Sequence, residues 1–227
     1  WLALAIALPA AADIGQISRF SACLPVRGIT TNPSILARAN TGLAALLPGV
    51  AEVLGEKARL HVQVVSENAD AMLAEAISLR KLPYNIVVKV PATEAGFTAI
   101  RKMKAQHIPV LATAIYSVQQ GFLAALCGAD YLAPYVNRID ATGADGIGVV
   151  ADLQALIDRH QFPARLLPAS FKNTQQVLGV LRAGVSALTL PAEIAEEMLA
   201  HPAVQPAVDR FTHDWHTFFG QTLPHDS

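Results

Sequence analysis

The chain has 227 residues, 52% apolar and 15% charged, with a formal net charge of −1. Globular chains carry about 25% charge and bury roughly 70% of their unfolded surface at this size. The composition therefore excludes a disordered segment and predicts that some outer surface is covered by other subunits. A near-neutral balance without long basic or acidic runs excludes a general nucleic-acid or anionic-membrane surface. Cys23 and Cys127 stand far apart and form no C-x-x-C pair, so neither a disulfide framework nor a zinc knuckle is expected. A reducing, cytoplasmic home is the default for such a chain.

In chain order, short apolar runs alternate with helical patterns. Trp1–Ala12 has an apolar core like a secretory signal, but it lacks a basic start and is too short to span a bilayer. The strands are predicted at Leu2–Leu8, Arg27–Thr30, Leu60–Val65, Ile86–Val90, Val110–Ile115, Tyr131–Pro134, Arg165–Ala169 and Ala187–Leu190. Most are unalternating Val/Ile/Leu runs, as strands buried on both faces should be. Helices are predicted at Asn68–Lys81, Ser117–Ala125, Gly146–His160 and Asn173–Arg182. Ser117 with Gln120 reads as a capping box, and Asn173 with Gln176 is placed alike. The uncharged stretch Ala105–Ala129 reads as strand, turn and helix rather than as a membrane span. Eight strand–helix units at near-regular spacing predict an α/β fold, a (β/α)8 TIM barrel in a single domain over 1–227. Beyond it, Val204, Val208, Phe211, Trp215, Phe218 and Phe219 recur at helical spacing, predicting an additional C-terminal helix over about 203–220. Its stripe packs either on its own barrel or on a neighbouring subunit.

Barrel active sites form where strands end. Lys89, in Ile86-Val87-Val88-Lys89-Val90-Pro91, is a cation inside an apolar run. Burial lowers the pKa of such a lysine, and a neutral amine is what imine chemistry with a carbonyl needs. A lysine snorkelling to solvent is the ordinary alternative. In Gly28-Ile29-Thr30-Thr31-Asn32-Pro33-Ser34, Asn32 and Pro33 are helix-start chemistry, while Thr30 and Asn32 also end a strand at the barrel mouth. Gln63 and Thr113 are neutral hydrogen-bonding groups within apolar strands, able to hold a water or to be satisfied core residues. Tyr135, after its strand, suits a proton relay, and Arg138, one turn later, suits a phosphate. Ser170 and Lys172 follow the seventh strand, near the usual phosphate position of such barrels. His213 and His216 lack further ligands, and no H-E-x-x-H or G-x-G-x-x-G occurs. No metal or cofactor is expected.

Together these residues resemble the short transaldolase family, and within it the fructose-6-phosphate aldolase-like branch. The resemblance is carried by Gly28–Leu36, Ile86–Gly96, Ala133–Asp140, Ala169–Lys172 and Phe211–Gly220. It implies a class I (Schiff-base) aldolase, a lyase cleaving fructose 6-phosphate or a related ketose into a dihydroxyacetone-type donor and a glyceraldehyde 3-phosphate-type aldehyde. Lys89 would form the imine. Gln63, Thr113 and Tyr135 would hold the proton-moving water, Thr30 and Asn32 the donor hydroxyls, and Arg138 and Ser170 the phosphate. It also implies a ring-shaped homo-oligomer, of five subunits or two stacked rings, using the C-terminal helix at subunit contacts. Gln63 with Tyr135 is similar to the aldolase pair, since transaldolases proper usually carry Glu and Phe there. The family's strand-one Asp and Thr align with Ala10 and Ala11, and His61 and Ala112 stand where an aromatic residue and Gly are usual. Two other readings stand beside this one: a transaldolase transferring a dihydroxyacetone unit, and a sugar-phosphate-binding barrel without catalysis.

Overall fold

The computed structural model describes residues 3–7, by backbone alone, and residues 14–226. Ala10 and Ala11 lie outside them. Eight parallel strands run in the order β7-β6-β5-β4-β3-β2-β1-β8. They are β1 (Ala3–Ala7), β2 (Val26–Thr30), β3 (Arg59–Gln63), β4 (Ile86–Pro91), β5 (Val110–Ile115), β6 (Tyr131–Pro134), β7 (Arg165–Leu166) and β8 (Ala187–Pro191). A hydrogen bond from Thr189 N to Pro168 O (3.0 Å) joins β8 to the segment after β7 and closes the ring. The parallel α/β barrel of the sequence reading is the architecture found.

Between the strands run α1 (Ile14–Cys23), α2 (Pro33–Arg38), α3 (Leu43–Leu54), α4 (Ala69–Arg80), α5 (Glu94–Ala105), α6 (Val118–Leu126), α7 (Val136–Asp140), α8 (Gly146–His160), α9 (Thr174–Arg182) and α10 (Ala192–Leu199). Six of these starts carry side-chain caps. Asn32, Asn68, Thr93, Ser117, Asp145 and Asn173 each accept a hydrogen bond from the backbone amide three residues on. Gln120 returns to the amide of Tyr116 rather than to that of Ser117, so the reciprocal half of the box is shifted by one residue. Gln176 does the same, accepting from Lys172 N.

Two strands are shorter than their apolar runs. Leu60–Val65 pairs only to Gln63, because the amides of Val65 and Ser66 are held by the Glu75 carboxylate (2.9 and 2.8 Å). Arg165–Ala169 is regular strand only to Leu166, although Leu167 N and Ala169 N still donate to Leu132 O and Pro134 O on β6 (2.7 and 2.9 Å). Ala169 rejoins through an isolated bridge to Tyr135.

Ile86, Val88 and Val90 alternate along β4 with Val87 and Lys89, and all five are buried. Val87 packs with Leu111, Ala133, Leu167, Ala187 and Tyr131. Val87 and Lys89 share a face two residues apart, so this cluster floors the space into which Lys89 projects.

The chain divides into two compact units, Trp1–Ile194 and Ala195–Ser227. The second contains α11 (Val204–Phe219). Trp215 stacks on Phe219 with ring centroids 4.4 Å apart and donates from Nε1 to Thr222 O (2.8 Å). Val204, Val208, Phe211, Phe218 and Phe219 are exposed, Phe218 at 82%.

Gly28 sits where β2 and β3 approach most closely: a Cβ there would overlap the Arg59 carbonyl oxygen. Gly28→Ala is expected to destabilise the chain by about 1–3 kcal/mol, as overpacking against backbone does. Urea unfolding of the two proteins, with unchanged m-values, checks this.

Candidate active site

At the C-terminal ends of the strands lies a cavity of about 270 Å³. Thr30 and Asn32 enter it from the end of β2, Lys89 from β4, and Tyr135, Arg138 and Ser170 from the segments after β6 and β7. Six of the eight residues singled out by sequence therefore line one space. Thr113 completes a seventh position by contact, its Oγ1 lying 2.8 Å from the Tyr135 hydroxyl.

Gln63 is placed differently. It is the register neighbour of Lys89 across β3 and β4, but it lines clefts with Pro33 and Val65 and is not among the residues lining the Lys89 cavity. The larger of these, about 740 Å³, is mostly apolar, and its carboxylate, Glu75, already holds two backbone amides. It offers no free charge for chemistry. Lys172 is exposed.

Lys89 is only 6% exposed. Its Nζ donates to the Thr31 carbonyl at 2.6 Å. No carboxylate reaches it among the described residues, and burial alone pulls its pKa from 10.5 to about 8. The amine is thus directed by a neutral acceptor and releases its proton far more readily than an exposed lysine.

The Thr113–Tyr135 hydroxyl pair is placed by loop geometry. Ala114 has φ +55° at a register shift between Ala112 and Ile115, a bulge just past Thr113. Tyr135 N donates to Ile115 O (3.0 Å), placing the phenol beside the threonine. The next amides, Val136 N and Asn137 N, donate to Ala169 O and Ser170 O (3.0 and 2.8 Å). Ser170 takes a left-handed backbone, φ +62°. These bonds hold the loop with Tyr135 and Arg138 against the loop with Ser170. The Arg138 guanidinium lies 5.0 Å from the Tyr135 ring centroid. A long hydrogen bond to the Tyr116 phenol (3.4 Å) pushes its pKa further up.

Asn32 has two roles at once, capping α2 through Oδ1 to Ile35 N (2.8 Å) while lining the cavity. Thr30 Oγ1 lies 2.9 Å from Thr189 Oγ1. Sequence reasoning passed over Thr189, although it carries the signal that marked Thr113: a hydroxyl inside an apolar strand. It also passed over Arg38, which lies in the last turn of α2.

His61 is buried with its Nδ1 lacking a partner among the described residues, its ring edge-on to Tyr131 at 5.5 Å. Burial, then the charges of Lys89 and Arg59, lower its pKa to about 3. It is neutral at any physiological pH. Among the described residues no group of three or more His, Cys, Asp or Glu is arranged to hold a metal ion. No helix among them is long and apolar enough to cross a membrane.

Comparison with known proteins gives the same fold. A putative isomerase from Sinorhizobium meliloti, in an open-loop conformation, superposes with a TM-score of 0.62 at 13% identity, over 86% of this chain and 53% of that one. A doubly substituted flavocytochrome b2 with pyruvate bound gives 0.61 at 10% identity, over 83% and 56%. The chain spans about half the length of these solved structures, and the likeness is one of fold. The transaldolase/fructose-6-phosphate aldolase family model matches residues 11–223, and the chain belongs to that family.

The unpaired His61 nitrogen generates a pH signature. Its folded pKa lies below the unfolded 6.5, so the unfolded chain takes up the proton first as pH falls. Stability is lost between pH 6.5 and about 3, by about 1.4 kcal/mol per unit. His61→Phe keeps an aromatic edge on Tyr131 and removes the titration. Denaturant unfolding at pH 7 and pH 5 should show an acid-induced loss smaller by about 2 kcal/mol in the variant than in the parent.

Proposed function

We propose that the chain is a class I aldolase of the fructose-6-phosphate aldolase type, and that Lys89 carries the reaction. The observation that supports this most strongly is a buried amine with a lowered pKa and no carboxylate partner among the described residues, in one cavity with Tyr135, Arg138 and Ser170. In the cleavage direction the Lys89 nitrogen adds to the ketose carbonyl carbon, and the carbonyl oxygen leaves as water. The hydroxyl beyond the adjacent carbon gives up its proton, the carbon–carbon bond breaks, and its electron pair is held as the enamine on Lys89. The aldehyde departs with its phosphate on Arg138 and Ser170, where a planar guanidinium suits bidentate contact. The enamine carbon then takes a proton, and water hydrolyses the imine to free the ketone and Lys89.

Tyr135 and Thr113, 2.8 Å apart, are the proton-handling pair in this reading, able to pass a proton between hydroxyls as charge develops. Gln63 is assigned to the same water-holding group on its register beside Lys89 alone, since it does not line the Lys89 cavity. Thr30 and Asn32 bind the hydroxyls of the donor fragment. The active form is a homo-oligomer, in which α11 covers its exposed apolar stripe on a neighbouring subunit, since such surface is seldom left to water.

Incubation with dihydroxyacetone and borohydride should leave an adduct on the peptide carrying Lys89. Lys89→Met should abolish both the adduct and turnover, by at least 1,000-fold, the scale of losing a covalent nucleophile. Folded parent protein without an adduct would leave a binding barrel instead. The initial trapping rate should rise with pH through about 8, as the buried ammonium loses its proton. Release of free dihydroxyacetone from fructose 6-phosphate should outpace its transfer to erythrose 4-phosphate; the opposite order would make the protein a transaldolase.

A further inference from the structure

Arg38 is unassigned by the chemistry above, yet it lines the same cavity as Lys89 and Arg138. The three supply positive charge, and among the described residues no Asp or Glu lines that space. Elsewhere Lys102 meets Asp70 and Lys104 meets Asp130. Arg38 and Arg138 have no carboxylate partner among the described residues. The Arg38 Nε donates to Ser34 O (3.3 Å), one turn back, which returns the side chain along α2 toward the strand end. Its terminal nitrogens have no partner among the described residues.

The two arginines arrive from different sides. Arg38 follows β2 and Arg138 follows β6, four strands apart in an eight-stranded ring, and so on opposite walls. Thr30 and Asn32, at the end of β2, stand on the Arg38 side, while Ser170 stands beside the Arg138 loop. A sugar with one phosphate satisfies one wall. The other keeps an exposed guanidinium lining a cavity whose described walls hold no counter-charge.

From this arrangement we infer that the cavity takes a sugar bearing an anionic group at each end, one on Arg138 and Ser170 and the other on Arg38. The chemical class is a ketose bisphosphate, or in synthesis a phosphorylated ketone donor with a phosphorylated aldehyde. Arg38 is then a specificity-determining residue that contacts the donor-side phosphate. The inference rests on the reading of this cavity as a sugar-phosphate site.

Calorimetric titration of the full chain with fructose 6-phosphate and fructose 1,6-bisphosphate tests it, with Lys89→Met protein used so that neither ligand turns over. The bisphosphate should bind at least tenfold more tightly. Adding Arg38→Gln should remove that preference and change fructose 6-phosphate affinity by less than twofold. Adding Arg138→Gln should weaken both ligands. Equal affinities for the two ligands in the Lys89→Met protein would overturn the inference, leaving Arg38 a solvated charge. Equal weakening of both by Arg38→Gln would also overturn it, since Arg38 would then share a single phosphate with Arg138. Borohydride trapping on the parent protein is read separately. An adduct without the bisphosphate preference defeats only this inference, and the preference without an adduct defeats only the aldolase chemistry.

Discussion

A primary amine taken out of water normally demands a carboxylate, and the interior of this barrel gives Lys89 a carbonyl instead. The Thr31 carbonyl can orient the ammonium through one hydrogen bond, but it carries no full charge to hold the proton there. The pKa therefore falls toward the working range of a nucleophile. Much of the surrounding structure serves this condition. Valines flank the lysine along β4, the cluster around Val87 and Leu111 closes the space below it, and the nearest ionisable ring, His61, stays neutral. A carboxylate in the cavity wall would pair with the amine and return its pKa upward.

The same absence of negative charge shapes the rest of the cavity. Arg138 is held by a tyrosine edge and a phenol rather than by an acid, so its guanidinium keeps its donors for an anion. The backbone bonds from Val136 and Asn137 to Ala169 and Ser170 make one rigid rim from two loops. A phosphate on that rim would be positioned against the lysine by main-chain geometry, with little side-chain freedom left to lose. His61 marks a local cost: an imidazole nitrogen without a partner is buried one layer beneath the chemistry, where an apolar ring would leave nothing unsatisfied.

What could be read from sequence depended on whether a residue's role was local. Lys89 was legible because a lysine amid valines is anomalous on its own strand. Asn32 and Pro33 were legible because capping is decided within four residues. Arg38 was not: a basic residue in the last turn of a short helix is ordinary, and only the ring order of the strands brings it to the cavity. Thr189 was missed since a single threonine in a strand says nothing of the threonine 159 residues away that it meets. Gln63 shows the converse, a residue one strand from the lysine that lines adjacent clefts and not the lysine's own cavity.

By itself, the order of apolar runs and caps determined the repeating strand–helix unit, its parallel pairing and the strand ends at which chemistry collects, because periodicity and capping act over a few residues. The tertiary structure alone decided which of those ends share a cavity and that no described carboxylate enters it. It also decided that two arginines face that cavity from opposite walls. Those properties arise from closing eight strands into a ring, which sets side chains far apart in sequence against one another and removes them together from water.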